Sequence, residues 1–413
     1  MDEVERAFRE AHGQAVATLV RIFGDISLAE DAVQDAFVTA VDLWPRQGIP
    51  SNPAGWIITA ARNRAIDIVR RHQRGRDLLA QVATDQLAGS SPPGTGEDPL
   101  TMRDDQLRLI FTCCHPALRV EHQVALTLRL IAGLTPAQVA RGFLISEATM
   151  TKRLVRARYK IKAAGIPYRV PTDAELPARL RVVLAVLYLI YNAGADDPQD
   201  SGELRREAIR LTRALVALMP DEAEACGLLA LLLLCESRIP ARRLDGDIVL
   251  LRDQDRSRWD RALITEGHEL VLACLRRGHL GPFQLQAAIH GLHCAAPRFE
   301  DTDWPAIVRF YDRLVALMPT PVVKLNRAIA VAETAGPAAA LELLDGVAAE
   351  LDTYHLLHAS RAAMLERLGR IAEAAAGYRR AAQLAPTACE ARFLSRRQAE
   401  LTAPDQQNPK EHP

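Results

Sequence analysis

One short segment of this chain, residues 135–162, carries two helix start signals separated by a turn. Thr135-Pro136-Ala137-Gln138 has the form of a capping box with proline at the first helical position, and it predicts a helix over 136–143. Ser146 offers a second N-cap, and helical periodicity continues after it for about five turns. Two helices joined by a turn of about three residues are typical of a helix-turn-helix. The spacing predicts a compact helical module over about 103–168.

The second helix of this module carries an apolar stripe and a basic stripe. Met150, Leu154, Ala157 and Ile161 recur at helical spacing and are expected to face the core of the module. The first residues of a recognition helix reach base edges, whereas later ones reach phosphates. The expected base readers are Ser146, Thr149, Lys152 and Arg153, and the expected phosphate contacts are Arg156, Arg158 and Lys160. A basic face alone is more often merely solvated, so the prediction of nucleic-acid binding depends on caps, turn and stripe together.

The charge of the chain is concentrated in this same module. The whole chain is neutral, with 51 basic and 51 acidic residues. Residues 103–170 nevertheless hold twelve Lys and Arg against four Asp and Glu, a net charge of +8, while residues 171–413 hold 29 against 33. A concentrated basic segment in a neutral protein favours one local binding site for a polyanion over non-specific binding of polyanions by the whole surface.

A second helix with a basic surface is predicted in residues 1–78. Asn52-Pro53 gives an N-cap followed by proline, and the helix is expected to run from 53 to about 73. Upstream, the segment Ser27–Glu30 has the form of a capping box that begins a helix ending near Trp44. Arg and Asn beside tryptophans suit contacts to phosphates and unstacked bases, although basic helix ends are also favoured by the helix dipole. The polar side of this helix carries Arg62, Asn63, Arg64, Asp67, Arg70, Arg71, His72 and Arg74.

The rest of the chain is divided by a linker and contains an internal repeat. Gly, Ser and Pro crowd residues 89–96, which predicts a flexible linker over 79–102. Leu-Val-Ala-Leu-Met-Pro occurs twice, at 215–220 and 314–319, and its prolines lie 99 residues apart, or three periods of 33. A related Ala-Ala-Gln-Leu-Ala-Pro follows at 381–386, and Ala374, Tyr378 and Ala381 fit a tetratricopeptide-like pattern. The chain is therefore predicted to be all-α, with a helical-repeat domain over 171–401 and a disordered tail over 402–413.

Several other functions find no support. The N-terminus is acidic where a secretory signal would be basic, and the uninterrupted apolar runs are too short to cross a bilayer, so we expect a cytoplasmic protein without membrane contact. The segments typical of hydrolases, nucleotide-binding folds and zinc proteases are absent, so we expect neither an enzyme nor a cofactor. Cys113, Cys114, His115 and His122 favour buried packing over a metal site, because adjacent cysteines rarely reach one tetrahedral ion. The same holds for His290, His293 and Cys294.

Two segments together resemble a known family. Residues 29–37, Ala-Glu-Asp-Ala-Val-Gln-Asp-Ala-Phe, and residues 55–71, which contain Ala-Ala-Arg-Asn-Arg-Ala-Ile-Asp, resemble region 2 of extracytoplasmic-function sigma factors. Residues 126–163, with Gly-Leu-Thr-Pro-Ala-Gln-Val-Ala, resemble region 4 of the same factors. The resemblance covers most of 1–165, in the family's order and with a linker between the two regions.

The resemblance implies a role for each region. Such a protein binds core RNA polymerase and directs it to promoter DNA. Arg62, Asn63, Asp67, Arg70, Arg71 and Arg74, with the loop 47–52, match the part that melts and reads the minus-ten element, and the helix after Ser146 matches the minus-thirty-five reader. Region 4 would meet the β flap of polymerase, and the linker would thread toward the RNA exit path. The residues that match the face gripping the β′ clamp helices are Glu30, Asp31, Gln34 and Asp35.

The C-terminal part resembles the sigma-factor subgroup that carries a tetratricopeptide-like extension, through segments such as 112–116, 254–260 and 354–359. One departure is that 192–195 reads Asn-Ala-Gly-Ala where the subgroup pattern is Asn-Glu-Gly-Tyr. The extension could hold the DNA-binding regions off or help them to engage polymerase, by an intramolecular contact with them, and the sequence leaves both readings open. Two other classes also stay open, namely a helix-turn-helix activator that senses a ligand through its repeats, and a repeat-based adaptor that binds only proteins.

Overall fold

A computed structural model describes residues 2–80, 99–143, 145–195, 202–244, 246–278 and 280–402, with side-chain surroundings for all of these except 2–10, 72–80, 99–103, 141–142 and 195. In these residues the chain is almost entirely helical, as predicted. The helices are α1 (Asp2–Phe23), α2 (Ile26–Gln47), α3 (Pro53–Ala80), α4 (Pro99–Cys113), α5 (Val120–Leu126), α6 (Pro136–Gly142), α7 (Glu147–Ala163), α8 (Leu176–Ala195), α9 (Glu203–Leu218), α10 (Ala223–Glu236), α11 (Arg261–Arg277), α12 (Pro282–Ala295), α13 (Trp304–Leu317), α14 (Pro321–Thr334), α15 (Gly336–Asp345), α16 (His355–Arg367), α17 (Ile371–Leu384) and α18 (Ala388–Thr402).

The chain divides into two compact units, Met1–Leu218 and Met219–Pro413. The predicted domain start at residue 171 lies inside the first unit, because α8 and α9 pack there. The predicted linker over 79–102 is too long at both ends, because α3 continues to Ala80 and α4 begins at Pro99. Its remaining residues, 81–98, and the predicted tail beyond residue 402 lie outside the described residues.

Helices α1, α2 and α3 pack against one another at the start of the first unit. The predicted capping box at Ser27–Glu30 is wrong, because the helix begins one residue before Ser27. Asp25 is the N-cap instead, and its carboxylate accepts from the backbone N–H of Ser27 at 2.8 Å and of Leu28 at 3.0 Å. Trp44 of α2 and Trp56 of α3 meet edge to face, with ring centroids 5.5 Å apart, and help to fix the two helices together.

The helix-turn-helix module comprises α4 to α7 and a π-helical segment, Thr127–Ile131, that continues α5. The predicted capping box at its turn is confirmed, since the Thr135 N–H donates to Gln138 Oε1 at 2.8 Å and the Gln138 N–H donates back to Thr135 Oγ1 at 3.2 Å. Ser146 caps α7 by accepting from the Thr149 N–H at 3.3 Å. Local sequence therefore fixes the start of both helices.

Helices α8 and α9 complete the first unit. Both pack on α4, and α8 also packs on α5. One stretch among the described residues, Leu176–Gly194 of α8, is long and apolar enough to cross a membrane, with a mean hydropathy of 1.4. Leu184 and Ile190 of this helix are fully buried within the first unit.

The second unit is a succession of helices from α10 to α18 in which each helix packs on the next. The three related segments at 215–220, 314–319 and 381–386 each contain the end of a helix. Helices α9, α13 and α17 end there at Leu218, Leu317 and Leu384. Ala374, Tyr378 and Ala381, which define the predicted repeat pattern, are buried. The stacking of consecutive helices agrees with the predicted tetratricopeptide-like architecture.

Between α10 and α11 the chain forms a short antiparallel hairpin, β1 (Arg243–Leu244) and β2 (Asp247–Ile248), the one departure from an all-helical chain in the described residues. Arg243 lies opposite Ile248, and Leu244 opposite Asp247. The hairpin packs on α18, where the Cys389 thiol donates to the Gly246 carbonyl at 3.2 Å. It thereby ties the start of the second unit to its last helix.

The charged segment 254–260, called the clip below, connects the end of α12 to the start of α11. Arg256 Nη1 donates to the carbonyls of His293 and Ala296, each at 2.7 Å, at the C-terminal end of α12. Its guanidinium lies 4.5 Å from the ring centroid of the buried Trp259. Asp260 then caps α11 by accepting from Ala262 and Leu263. The dense charge therefore satisfies orphan groups at helix ends.

Candidate nucleic-acid interface

Helix α7 presents the polar stripe that the sequence predicts. Met150, Leu154, Ala157 and Ile161 are buried in the module, which turns the opposite side of the helix outward. Arg153 is half-buried, whereas the exposed predicted positions are Ser146, Thr149, Lys152, Arg156 and Lys160. Ser146 and Thr149 lie at the capped N-terminus, the end of a recognition helix that enters the major groove, and the three cationic side chains follow along the helix.

Arg158 of the same helix differs from the other predicted positions. It is half-buried, and its Nη2 contacts Oε2 of Glu30 on α2. In this closed arrangement Arg158 is engaged in an ion pair with the N-terminal helices and does not lie on the open basic surface.

The second predicted nucleic-acid face lies on α3. Asn63, Asp67, Arg70 and Arg71 are exposed and Arg62 is half-buried, while the side chain of Arg74 lies outside the described residues. Ile57, Ala61 and Ala65 on the opposite side are fully buried. A single exposed stripe on α3 thus carries cationic, amide and carboxylate groups, a composition suited to a strand with accessible bases and phosphates.

The four predicted polymerase-binding residues on α2 have unlike surroundings. The side chain of Asp31 is exposed to solvent on one side. Partial loss of hydration, and then the charge of the neighbouring Glu30, raise the pKa of Asp31. Asp35 Oδ2 accepts from Arg64 Nε of α3 at 2.5 Å. Glu30 is only 3% exposed. The predicted face is therefore only partly open to solvent in this structure.

Arg129 explains the burial of Glu30, and the sequence analysis missed it. Arg129 lies in the π-helical segment of the helix-turn-helix module, and its Nε donates to Glu30 Oε1 at 2.5 Å. Its Nη1 donates to the Leu134 carbonyl at 3.0 Å and lies 3.1 Å from the side-chain oxygen of Gln34 when that amide is oriented to accept. The available signal was a lone arginine within the apolar run 124–132, which requires a buried partner.

The same interface extends along α1. The Cα of Gly13 faces Ile131 so closely that an added Cβ would lie 2.7 Å from the Ile131 carbonyl oxygen. Arg21 Nε pairs with Asp105 Oδ2 of α4 at 2.7 Å. The Tyr168 hydroxyl donates to the carbonyl of Ala17 at 2.7 Å, and burial raises its pKa. The N-terminal helices and the helix-turn-helix module therefore form one continuous interface.

His12 lies at the centre of this interface. Its side chain is fully buried, and its ring lies 6.2 Å from the Phe37 ring, centroid to centroid. Burial, and then the nearby Arg129 charge, lower the pKa of His12 to about 3. The imidazole is accordingly neutral at physiological pH while the interface is closed.

In the cysteine and histidine group at 113–122, the two cysteines are buried and the two histidines are half-buried. Burial raises the pKa of Cys113, and it raises the pKa of Cys114 to about 11. Cys114 Sγ lies 3.5 Å from Thr127 Oγ1, and His115 Nδ1 accepts from the Ala117 N–H. In the part of the chain that the structure describes, no three His, Cys, Asp or Glu side chains are grouped closely enough to hold a metal ion.

The helix-turn-helix module and the separate exposed face of α3 are what is expected of a transcription protein of the helix-turn-helix class. The Sigma-70 region 2 family model matches residues 7–75, and a family of unknown function, DUF6596, matches residues 179–275. The chain is 31% identical over 145 residues to the ECF RNA polymerase sigma factor SigL of Mycobacterium tuberculosis, covering 35% of this chain and 76% of that protein. The chain belongs to the extracytoplasmic-function sigma factor family.

Two further relatives extend the comparison. The probable ECF RNA polymerase sigma factor SigI of Mycobacterium tuberculosis is 29% identical over 214 residues, which are 49% of this chain and 70% of that protein. An uncharacterized protein of Rhizobium meliloti, R00370, is 42% identical over 397 residues, which are 95% and 94% of the two chains. The solved tetratricopeptide domain of P58(IPK) covers 91% of this chain and 99% of its own at 12% identity, but its TM-score of 0.25 is too low to support a conclusion.

Proposed function

We propose that this protein binds core RNA polymerase in the cytoplasm and directs it to promoters that contain a minus-ten and a minus-thirty-five element. The observation that carries the proposal is that one chain exposes two helical faces of different composition, one on α7 and one on α3. The basic face of α7 suits duplex DNA in the major groove, whereas the Arg/Asn face of α3 suits an opened strand. A conventional activator needs only the first of these faces.

The division of labour follows the predicted regions. Residues 1–78 form region 2, whose α2 side chains Asp31 and Asp35 bind the β′ clamp helices together with Glu30 and Gln34. Residues 103–168 form region 4, which binds the minus-thirty-five element through α7 and meets the β flap of polymerase. The segment between α3 and α4, residues 81–98 of the predicted linker, connects the two along the path of the emerging RNA. This protein acts as an initiation factor and not as an enzyme.

Promoter binding requires the first unit to open. Elements centred about 25 base pairs apart are separated by about 85 Å along B-form DNA. A compact unit of 218 residues has a radius of gyration of about 17 Å and spans about 45 Å. Region 2 and region 4, in contact through Glu30 and Arg158, therefore cannot occupy both elements at the same time. The closed form is a free state, and the polymerase-bound form is extended.

The C-terminal extension, residues 171–401, modulates this opening through its first two helices. Glu203 at the start of α9 accepts from Gln138 Nε2 of α6 at 3.0 Å. Arg179 of α8 donates to the Phe111 carbonyl at the end of α4 at 2.5 Å. Both helices also cover the apolar side of α4. The extension braces region 4 in its closed position, and its release assists engagement with polymerase.

Transcription with purified components tests the sigma-factor role. The full chain and core RNA polymerase are mixed on a linear template carrying both elements, and run-off RNA is measured. The proposal expects a discrete transcript that depends on both proteins and is lost when either element is scrambled. A conventional activator would require another sigma factor for any transcript, and an adaptor would give none and would not bind the template.

The bracing role needs a separate variant. Glu203→Ala removes the contact to α6 and is expected to raise transcript yield at limiting polymerase. Glu342→Ala, an equivalent change on the exposed surface of α15, serves as the control. Equal yields from the two variants would overturn modulation through α9.

A further inference from the structure

We propose that region 4 of this protein is an internal competitor of RNA polymerase, because Arg129 and Arg158 occupy the Glu30 carboxylate that polymerase must bind. The inference rests on the proposed function and adds a mechanism of restraint to it. It assigns to Arg129 a role as a latch between the two DNA-binding regions.

The geometry of the latch is that of a fully engaged carboxylate. Glu30 Oε1 accepts from Arg129 Nε at 2.5 Å, and Glu30 Oε2 contacts Arg158 Nη2, so each oxygen has its own guanidinium. One helical turn later, Gln34 also faces Arg129. The latch thus holds two of the four α2 residues assigned to the polymerase contact.

Burial excludes any second partner for this carboxylate while the latch is closed. The side chains of Glu30 and Arg129 are each 5% exposed. A partner protein cannot reach Glu30 unless region 4 moves away, and region 4 cannot move away without separating these charges. Arg129 and polymerase therefore cannot bind the Glu30 carboxylate at the same time.

The latch is also suited to release. Two paired charges in a protein interior lose hydration, and their mutual attraction roughly offsets this loss, so the intact pair adds little net stability to the closed form, whereas removal of one partner destabilises that form. When the interface opens, both groups regain water. Glu30 and Arg129 thus fix which surfaces meet, and polymerase can shift the population toward the open form through its preference for that form.

A purely structural ion pair makes a different prediction from a latch. If the pair only maintained the fold, removing either partner would weaken polymerase binding in the same direction. If the pair is a latch, removal of Arg129 frees the polymerase site and removal of Glu30 destroys it. The two substitutions then change the affinity for polymerase in opposite directions.

The experiment measures the Kd of the full chain for core RNA polymerase, in the absence of DNA, for Arg129→Gln, Glu30→Gln and wild type. Arg119→Gln is the control, because it removes the same charge from an exposed position at the start of α5. The proposal expects Arg129→Gln to bind at least about tenfold more tightly than wild type, Glu30→Gln to bind at least about tenfold more weakly, and Arg119→Gln to match wild type within about twofold. Weaker or unchanged binding by a folded Arg129→Gln variant overturns it.

A second variant covers the case in which Arg129→Gln does not fold. Tyr168→Phe deletes only the hydroxyl that donates to Ala17 and Asp105, at another point of the same interface. The latch predicts tighter polymerase binding for this variant as well, and unchanged binding overturns it. Hydrogen exchange of the free protein distinguishes failure of the latch from failure of the proposed sigma-factor function. Faster amide exchange in 127–131 for Tyr168→Phe than for wild type would support the closed form of the free protein. If no variant then bound polymerase, the proposed function would be wrong and the closed form would stand.

Discussion

Glu30 of α2 and Arg129 of the π-helical segment, 99 residues apart in the chain, form an ion pair of 2.5 Å between Oε1 and Nε. The pair joins a residue assigned to polymerase binding with one from the region assigned to the minus-thirty-five element. Because both side chains are buried, the contact defines a closed state of the first unit.

The first unit should lose stability in mild acid through His12. Its pKa is lowered to about 3 in the closed unit and returns toward 6.5 when the ring is exposed. A histidine with a depressed pKa contributes stability above pH 6.5, and the contribution is lost as pH falls below that value. Between pH 7.5 and 5.5 the free energy of unfolding of the first unit should drop by about 1.4 kcal/mol from this group. Urea unfolding at the two pH values measures the loss, and an unchanged loss in His12→Leu would contradict it.

Recognition of the minus-thirty-five element should depend on the N-terminal turns of α7. Arg153→Ala removes an expected base contact and should lower the affinity of the polymerase complex for that element by about 1–3 kcal/mol. Binding of the variant to polymerase without DNA should be unchanged. Competition between matched and scrambled duplexes measures the effect, with Arg119→Ala as the control. A uniform loss on both duplexes would assign Arg153 to phosphate binding only.

The α3 face should act on the opened strand. Asn63 is exposed and neutral, so Asn63→Ala should reduce discrimination among minus-ten sequences and leave the salt dependence unchanged. Arg70→Ala should instead weaken binding to all sequences alike and lower the slope of log K against log salt by about 0.7 for a single strand. Fluorescence binding of polymerase complexes to single-stranded minus-ten oligonucleotides separates the two. Identical behaviour of the variants would refute the division between base and phosphate contacts.

The clip at 254–260 should stabilise the second unit alone. Arg256→Ala leaves the carbonyls of His293 and Ala296 without their donor and uncovers one face of Trp259, and a cost of about 1–3 kcal/mol is expected. Arg258→Ala, at an exposed position two residues further, should cost little. Thermal unfolding followed by tryptophan fluorescence provides the comparison. Equal losses of thermal stability in the two variants would argue against a stabilising role for the clip.

Features set by neighbouring residues were predictable from the sequence, and features set by distant ones were not. The Thr135–Gln138 capping box, the Ser146 cap and the buried stripe of α7 depend on contacts within four residues, so their patterns sufficed. Asp25 was overlooked because Ser27 offers a capping box of equal quality two residues later. The burial of Glu30 depends on Arg129, whose position becomes defined only when the two regions pack. The start of the second unit at Met219 was missed for a similar reason, since the repeated segment begins at the end of α9, but α8 and α9 both pack on α4.

Strand opening on a promoter tests the sigma-factor account most directly. Permanganate reactivity of thymines in the minus-ten element is measured with core polymerase alone, with the full chain alone, and with both. The account predicts reactive thymines only when both proteins are present, with stronger reactivity for Tyr168→Phe at limiting polymerase. Binding of the chain to duplex DNA without any polymerase-dependent thymine reactivity would contradict it and would favour a conventional activator.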